Sequence, residues 1–350
     1  MDVKTLLTWS KQEFSGLPWR QNRSLYRTLV SEIMLQQTTV GTVKNHYERF
    51  LITFPDLESL ASATESELLV AWKGLGYYRR ARSLKKIAEA IARDHAGKFP
   101  HDLDHLQEIS GIGPYTSNAI VAIGMDKRAL AVDANLERVI ARLYGMKTAK
   151  GPKLQKEISG LFTEKKIFTG KYSWRALNEA LMDLGRTFCQ SRKATCELCP
   201  LKKECKAYSA GTPLKFPVDT VGKKKAQEHE LTLLRAYVVK KGKILVYEKE
   251  DGEWLSGQFE VPTFIVSSTD EKLAQYPKLR NKFPGEKILL KTGITKYKIT
   301  NQLIVTDEKQ LKSWDFTRKL VWKDLLKAES NLSTTTLKGL KSLKLVPGTN

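Results

Sequence analysis

The sequence predicts a multi-domain chain, with an all-α part of about 210 residues followed by a smaller α+β domain. Three observations lead there. Apolar residues recur at helical spacing from about residue 4 to 208, and the period shifts toward strands beyond a stretch rich in Pro, Gly and Lys at 211–228. All four cysteines fall together between Cys189 and Cys205. At 350 residues the chain is long enough for two cores.

Taken in order, Leu25, Leu29 and Ile33, with Tyr26, Val30 and Met34, mark one helix. Leu136, Val139, Ile140 and Leu143 mark another. Phe54-Pro55, Gly74-Leu75-Gly76, Phe99-Pro100 and Gly111–Pro114 punctuate the helices. Gly211–Glu228, with Pro213, Pro217, Lys215 and the run Lys223–Lys225, reads as a linker. Beyond it LTLLRAYVVKKGKILVYEKE reads as a hairpin turning at Lys241-Gly242, and ITKYKITNQLIVTD as a further strand. The last residues are expected to fray. No internal repeat is visible.

Lys and Arg number 59 against 38 Asp and Glu, a net charge of +21. A polyanion, nucleic acid ahead of membrane lipid, is the partner such a balance suits; a solvated surface is the plainer alternative. Apolar content is ordinary for a globular protein, and no apolar run approaches the roughly 18 residues of a spanning helix. The opening MDVKTLLTWSKQEF is too polar for a secretory signal. The expectation is a soluble intracellular protein, cytoplasmic and at the nucleoid if bacterial, monomeric and without a membrane partner.

Chemistry is concentrated at four places. In LQEISGIGPYTSNAIVA, residues 106–122, Gly111 and Gly113 sit between two helical patterns. They let the backbone approach a phosphate, and Pro114 suits the first position of the next helix. This is a helix-hairpin-helix clamp on a DNA backbone, or else an ordinary αα-turn. Asp133 precedes the helix starting near Leu136, so it is an N-cap, and a carboxylate there is expected to stay ionised. Glu32 falls beside Leu25 and Leu29 at the edge of an apolar arc, where desolvation would raise its pKa. One protonated and one ionised carboxyl is the pair that glycosidic cleavage calls for. Finally, Cys189, Cys196, Cys199 and Cys205 are spaced C-x6-C-x2-C-x5-C, which reads as a zinc or an iron–sulfur site.

With these residues in view, SEIMLQQT (31–38), GLGYY (74–78), GIGPYT (111–116), VDAN (132–135) and the cysteine loop occur in an order that resembles adenine DNA glycosylases of the MutY type, in the endonuclease III superfamily. The resemblance is close over about residues 5–210 and looser beyond. It implies an all-α helix-hairpin-helix glycosylase core, a [4Fe–4S] cluster on the four cysteines, and a C-terminal α+β domain similar to Nudix hydrolases. The implied domains are a catalytic domain at 1–210, a linker at 211–228 and a lesion-recognition domain at 229–350. The first divides into a six-helix part (about 22–132) and a cluster part (the N-terminus with about 133–210). The implied partner is double-stranded DNA holding adenine opposite 8-oxoguanine or guanine.

Carried onto this sequence, the resemblance makes Glu32 the acid that protonates adenine and Asp133 the carboxylate that stabilises or traps the sugar cation. Tyr115 and Asn135 support them, and Gln37 is the wedge that fills the stack when adenine flips out. Thr38, Leu75 and Tyr77 line the lesion side; Trp19, Arg20 and Glu179 stand near the adenine pocket. Tyr115 occupies the place where lyases of the superfamily carry their lysine nucleophile, which implies a monofunctional enzyme. Relatives acting on thymine lack the glutamate at the position of Glu32. The rivals are such a lyase or thymine glycosylase, and a protein that binds mismatches without cutting.

Two departures from the family pattern are present. Ala134 replaces the usual glycine of Asp-Gly-Asn, which would strain the turn if it needs a positive φ. Ile294-Thr295-Lys296 stands where Phe-Ser-His usually reads the oxidised guanine, so that recognition is weaker or rests more on Thr38. WLSGQFEVP (254–262) resembles a family stretch, but the metal-binding Nudix helix is absent, so the domain is expected to bind rather than catalyse. Around the cysteines, Arg186, Arg192, Lys193, Lys202, Lys203 and Lys206 outnumber Glu197 and Glu204, and Arg192 and Lys193 are placed to meet a phosphate.

Overall fold

A computed structural model describes residues 2–218, 227–280, 285–325, 327 and 331–346. The chain divides into two units, Met1–Ala63 with Arg79–Gly222, and Thr64–Tyr78 with Lys223–Asn350. Its first twelve helices are α1 (Val3–Phe14), α2 (Leu25–Leu35), α3 (Val40–Thr53), α4 (Leu57–Ser62), α5 (Glu65–Ala71), α6 (Arg79–Asp94), α7 (Leu103–Glu108), α8 (Pro114–Ala119), α9 (Ala134–Tyr144), α10 (Pro152–Thr163), α11 (Trp174–Thr187) and α12 (Lys206–Ser209). All but α5 lie in the first unit. No helix among the described residues is long and apolar enough to cross a membrane.

Helix α2 is the axis of that unit. Ser24 caps it by accepting the Arg27 N–H, and the helix packs against α3, α6 and α8. Packed on several sides, it buries Thr28 through Met34 without a break, Glu32 included. The hydrophobic arc read from the sequence is therefore wider than one face. A second core forms where Leu6 of α1 meets Val139, Ile140, Ile158, Leu177 and Leu181 of α9, α10 and α11, joined by Leu201 from the cysteine loop. The start of the chain thus folds back onto residues beyond 133.

Two helix starts place chemistry. Gly111 adopts φ +98, a conformation open to glycine, and a Cβ there would also come within 2.9 Å of Ser83 Oγ. Gly113 then caps α8, with Pro114 at its first position and the following N–H groups unpaired within the helix. Ala134 is exposed and opens α9 with ordinary helical geometry; it is not among the positive-φ residues. The strain expected from losing glycine does not arise, because alanine is a good helix former at that position.

The linker is shorter than the sequence suggested. Val218 bridges Ala149 and accepts the Lys150 N–H, while the Phe216 carbonyl accepts from Arg142 Nε, so Gly211–Val218 runs docked on the first unit. The run Lys223–Lys225 lies outside the described residues.

The second unit is α+β, with strands β1 (His229–Tyr237), β2 (Val239–Lys240), β3 (Lys243–Glu248), β4 (Phe259–Glu260), β5 (Thr263–Ser268), β6 (Ile288–Ile294), β7 (Tyr297–Val305) and β8 (Val321–Asp324). One sheet runs β5-β1-β7-β6, with β1 and β7 parallel; the other runs β2-β3-β4, with β8 on β3. The turn between β2 and β3 falls at Lys241-Gly242, both at positive φ, as the hairpin reading required. Helices α13 (Glu308–Lys312) and α14 (Thr334–Ser342) complete the unit. Leu340 of α14 is fully buried, so fraying does not reach that far back.

Candidate active site

Four predicted residues come together in the first unit. Tyr115, in the first turn of α8, donates its hydroxyl to Glu32 Oε2 at 2.5 Å. Glu32 is 4% exposed, and its carboxyl is pushed up to about 7. Burial is the largest cause; the Tyr115 hydrogen bond pulls back, and the nearby charges of Asp133 and Glu179 push further up. Two acidic side chains, about 100 and about 150 residues from Glu32 in sequence, are thus close enough to oppose its ionisation.

Asp133 caps α9. Its Oδ1 accepts the N–H groups of Asn135 at 2.9 Å and Leu136 at 2.7 Å, and its Oδ2 accepts Asn135 Nδ2 at 2.8 Å. The cap was expected to hold this carboxyl low. Burial outweighs it, and the shift from the ordinary aspartate value is upward. The two acids still differ, since Asp133 has three N–H donors on its anion where Glu32 has one hydroxyl. The proton belongs on Glu32.

Behind Asp133 a chain of contacts leads to the cysteines. Arg138 donates to Asn135 Oδ1 at 2.8 Å, to the Gly185 carbonyl at 2.9 Å and to the Cys189 carbonyl at 2.7 Å. Gly185 leaves the space this needs, because a Cβ there would lie 2.7 Å from Asn135 Cβ. Gly185→Ala is expected to force α11 from α9 and cost about 1–3 kcal/mol, read as a lower melting temperature.

Beside Glu32, Glu179 on α11 takes both guanidinium nitrogens of Arg23, at 2.7 and 3.1 Å. Arg20 Nε lies 3.5 Å from Glu179, and Arg20 Nη2 donates to Asp183 Oδ2 at 2.9 Å. Asp183, 2% exposed, also binds Ser10 and Arg186. Trp19 meets the edge of Tyr47, 5.8 Å between ring centres. Arg23, Asp183 and Arg138 were not singled out in the sequence. Their i, i+3 and i, i+4 neighbours gave no sign of partners 47 to 173 residues away.

Gln37 is exposed at φ +55 on the loop after α2, next to Thr38, whose Oγ1 accepts from Arg80 Nη2 at 2.8 Å. In the second unit Leu75 is buried, while Tyr77 is exposed at φ +47. Thr295 and Lys296 form the turn between β6 and β7, and Thr295 is a β-branched residue at φ +48. Lys296 Nζ lies 3.4 Å from Asp270, which also accepts the Tyr297 hydroxyl. An imidazole does stand here, but it comes from β1: His229 pairs with Tyr297 across the strands and stacks on its ring at 5.4 Å. Within WLSGQFEVP, Glu260 is consumed by Arg235, Tyr247 and Tyr276, leaving it no freedom to hold a metal.

The cysteine loop follows α11 through short 3-10 turns. Its four thiols are not joined as disulfides and are electrostatic neighbours: Cys199 feels Cys189, Cys196 and Cys205. Donors point at the sulfurs, with Arg142 Nη1 at 3.3 Å from Cys189 Sγ, the Leu201 N–H toward Cys199, and the Ala207 and Tyr208 N–H groups toward Cys205. Such donors fit sulfur ligands that carry negative charge. Arg192 and Lys193 are exposed on the loop, but Arg186 is tied to Asp183, and Lys202 to Glu197.

A family profile described as "HhH-GPD superfamily base excision DNA repair protein" matches residues 30–164. The adenine DNA glycosylase of Buchnera aphidicola subsp. Acyrthosiphon pisum is 30% identical over 279 residues, covering 79% of this chain and 74% of that protein. The Homo sapiens adenine DNA glycosylase is 34% identical over 212 residues, which is 58% of this chain but 38% of the human protein. Among solved structures, a thermostable thymine-DNA glycosylase superposes with a TM-score of 0.52 at 32% identity, covering 59% of this chain and 95% of its own.

Proposed function

The chain belongs to the adenine DNA glycosylases of the helix-hairpin-helix base excision repair superfamily, and we propose that it extrudes adenine mispaired with 8-oxoguanine, or with guanine, and hydrolyses its N-glycosidic bond without a lyase step. The observation that carries this reading is the buried Glu32, bonded to Tyr115, pushed up to about 7 and within electrostatic reach of Asp133.

On this reading Glu32 gives its proton to adenine N7. The bond between N9 and C1′ breaks with its electrons passing to the purine, and Asp133 stabilises the cation at C1′ or adds to it. Water then attacks C1′, and the carboxylate left on Glu32 receives its proton. Tyr115 orients Glu32, and Asn135 orients Asp133. Arg20, with Arg23, holds Glu179 at the adenine pocket, beside Trp19. Gln37 fills the stack from which adenine leaves, and the N–H groups after Gly111 and Gly113 hold phosphate. With Tyr115 in the lysine's place, no amine is available there to open the sugar.

The four cysteines would hold a [4Fe–4S] cluster, which supplies a rigid, positively flanked loop where Arg192 and Lys193 meet the backbone of the duplex. The C-terminal α+β domain is Nudix-like in this reading and faces the lesion. Thr38 of the first unit is assigned to lesion reading, as are Leu75, Tyr77, Thr295, Lys296 and the neighbouring His229 of the second. The protein acts as a monomer inside the cell.

Single-turnover assays on duplexes carrying adenine opposite 8-oxoguanine, adenine opposite guanine, and thymine opposite guanine test the proposal. Adenine release from the first two, fastest opposite 8-oxoguanine, is expected. Release of thymine alone, or tight binding with no base released, would overturn it.

A further inference from the structure

Resting on the proposed adenine excision, we propose that Arg80 is a positioning residue that sets the wedge at Gln37 and the last turn carrying Glu32 with one guanidinium. Arg80 lies in the first turn of α6 and is 6% exposed. Its Nη1 donates to the carbonyls of Ile33 at 2.9 Å and Met34 at 2.8 Å, and also to that of Gln36. Its Nη2 donates to Thr38 Oγ1 at 2.8 Å.

These acceptors are what a helix end leaves over. Helix α2 has no basic residue in its last turn, and Gln36 follows it at ψ 117, outside helical geometry. The terminal carbonyls carry partial negative charge and need donors from elsewhere. Arg80 supplies them from another helix. The planar fork then does something a point charge could not, because it ties Gln36 with one nitrogen and Thr38 with the other. Gln37, between them, is held at φ +55, a conformation a non-glycine residue keeps only when its neighbours are fixed. Ile33, whose carbonyl the same group takes, directly follows Glu32. The acid and the wedge therefore share one anchor, 47 residues away in sequence from Ile33.

The prediction is a defect in base extrusion with the acid chemistry intact. Arg80→Met should slow single-turnover excision of adenine opposite 8-oxoguanine by ~10-fold or more. On a duplex holding adenine opposite an abasic site, which has no pair to break, the loss should shrink to less than about threefold. The pH dependence of the rate should not move. Arg80→Lys, which keeps charge but not the fork, should show the same pattern more weakly; it carries the test if Arg80→Met does not fold. Equal losses on both duplexes, or no loss, would overturn the assignment to Arg80 alone. A wild-type protein that releases adenine from neither duplex would overturn the proposed function, and the role of Arg80 with it.

Discussion

Replacing Glu32 with Gln is expected to lower the single-turnover rate of adenine excision by roughly 10²–10⁴-fold, the usual contribution of a positioned general acid. The amide has nearly the same shape and can still accept the Tyr115 hydroxyl, so the loss isolates the proton. With the acid near 7, the wild-type rate should fall as pH rises above that value and Glu32 empties. In the variant that limb should vanish. Stability should move the other way. The folded carboxyl holds its proton more tightly than the unfolded one at 4.5. The native state therefore loses stability as pH rises from about 4.5 to about 7, and above that the cost is complete, on the order of 3 kcal/mol. Above pH 7 the variant should melt higher than wild type, by up to about that amount less the cost of burying an unpaired amide N–H. Full activity in the variant would remove Glu32 from the chemistry. Unchanged stability at high pH would mean that the burial is relieved before ionisation.

Those opposed effects bear on what the sequence could say. The burial of Glu32 and its raised pKa were legible because Glu32 falls at the edge of a helical apolar arc, where a carboxyl is out of place. The turn at Gly111 and Gly113, the cap at Asp133 and the cysteine spacing were legible for the same reason, since each is set by residues a few positions apart. The shift to strands beyond Glu228 was legible too. Arg80, Arg138 and Arg23 were not. Each is an arginine in a chain rich in them, and its meaning lies in acceptors 40 to 160 residues away, which only packing brings near. The direction of the Asp133 shift was missed because a cap is local while burial is not; burial won. The docking of Gly211–Val218 was hidden in the same way, as its Pro, Gly and Lys composition reads as solvated chain whatever surface it meets.

Asp133 offers the second large effect, and there the cap and the chemistry can be pulled apart. Asn is as good an N-cap as Asp. In Asp133→Asn the oxygen that accepts from the Asn135 and Leu136 N–H groups survives; the charge is lost, and with it the side-chain bond from Asn135 Nδ2, which an amide NH2 cannot accept. Excision is expected to fall roughly 10²–10³-fold, the scale for removing a preorganised charge from a transition state, while the melting temperature stays close to wild type. Asp133→Ala should lose the rate and, in addition, about 1 kcal/mol of stability. The wild-type rate should also fall on the acid side as Asp133 takes up a proton, giving a bell whose two limbs belong to the Glu32–Asp133 pair and not to either residue alone. If Asp133→Asn kept the wild-type rate, Asp133 would be a cap and nothing more, and the sugar cation would need another carboxylate. Glu179 does not fit that role, because both oxygens are already engaged by Arg23.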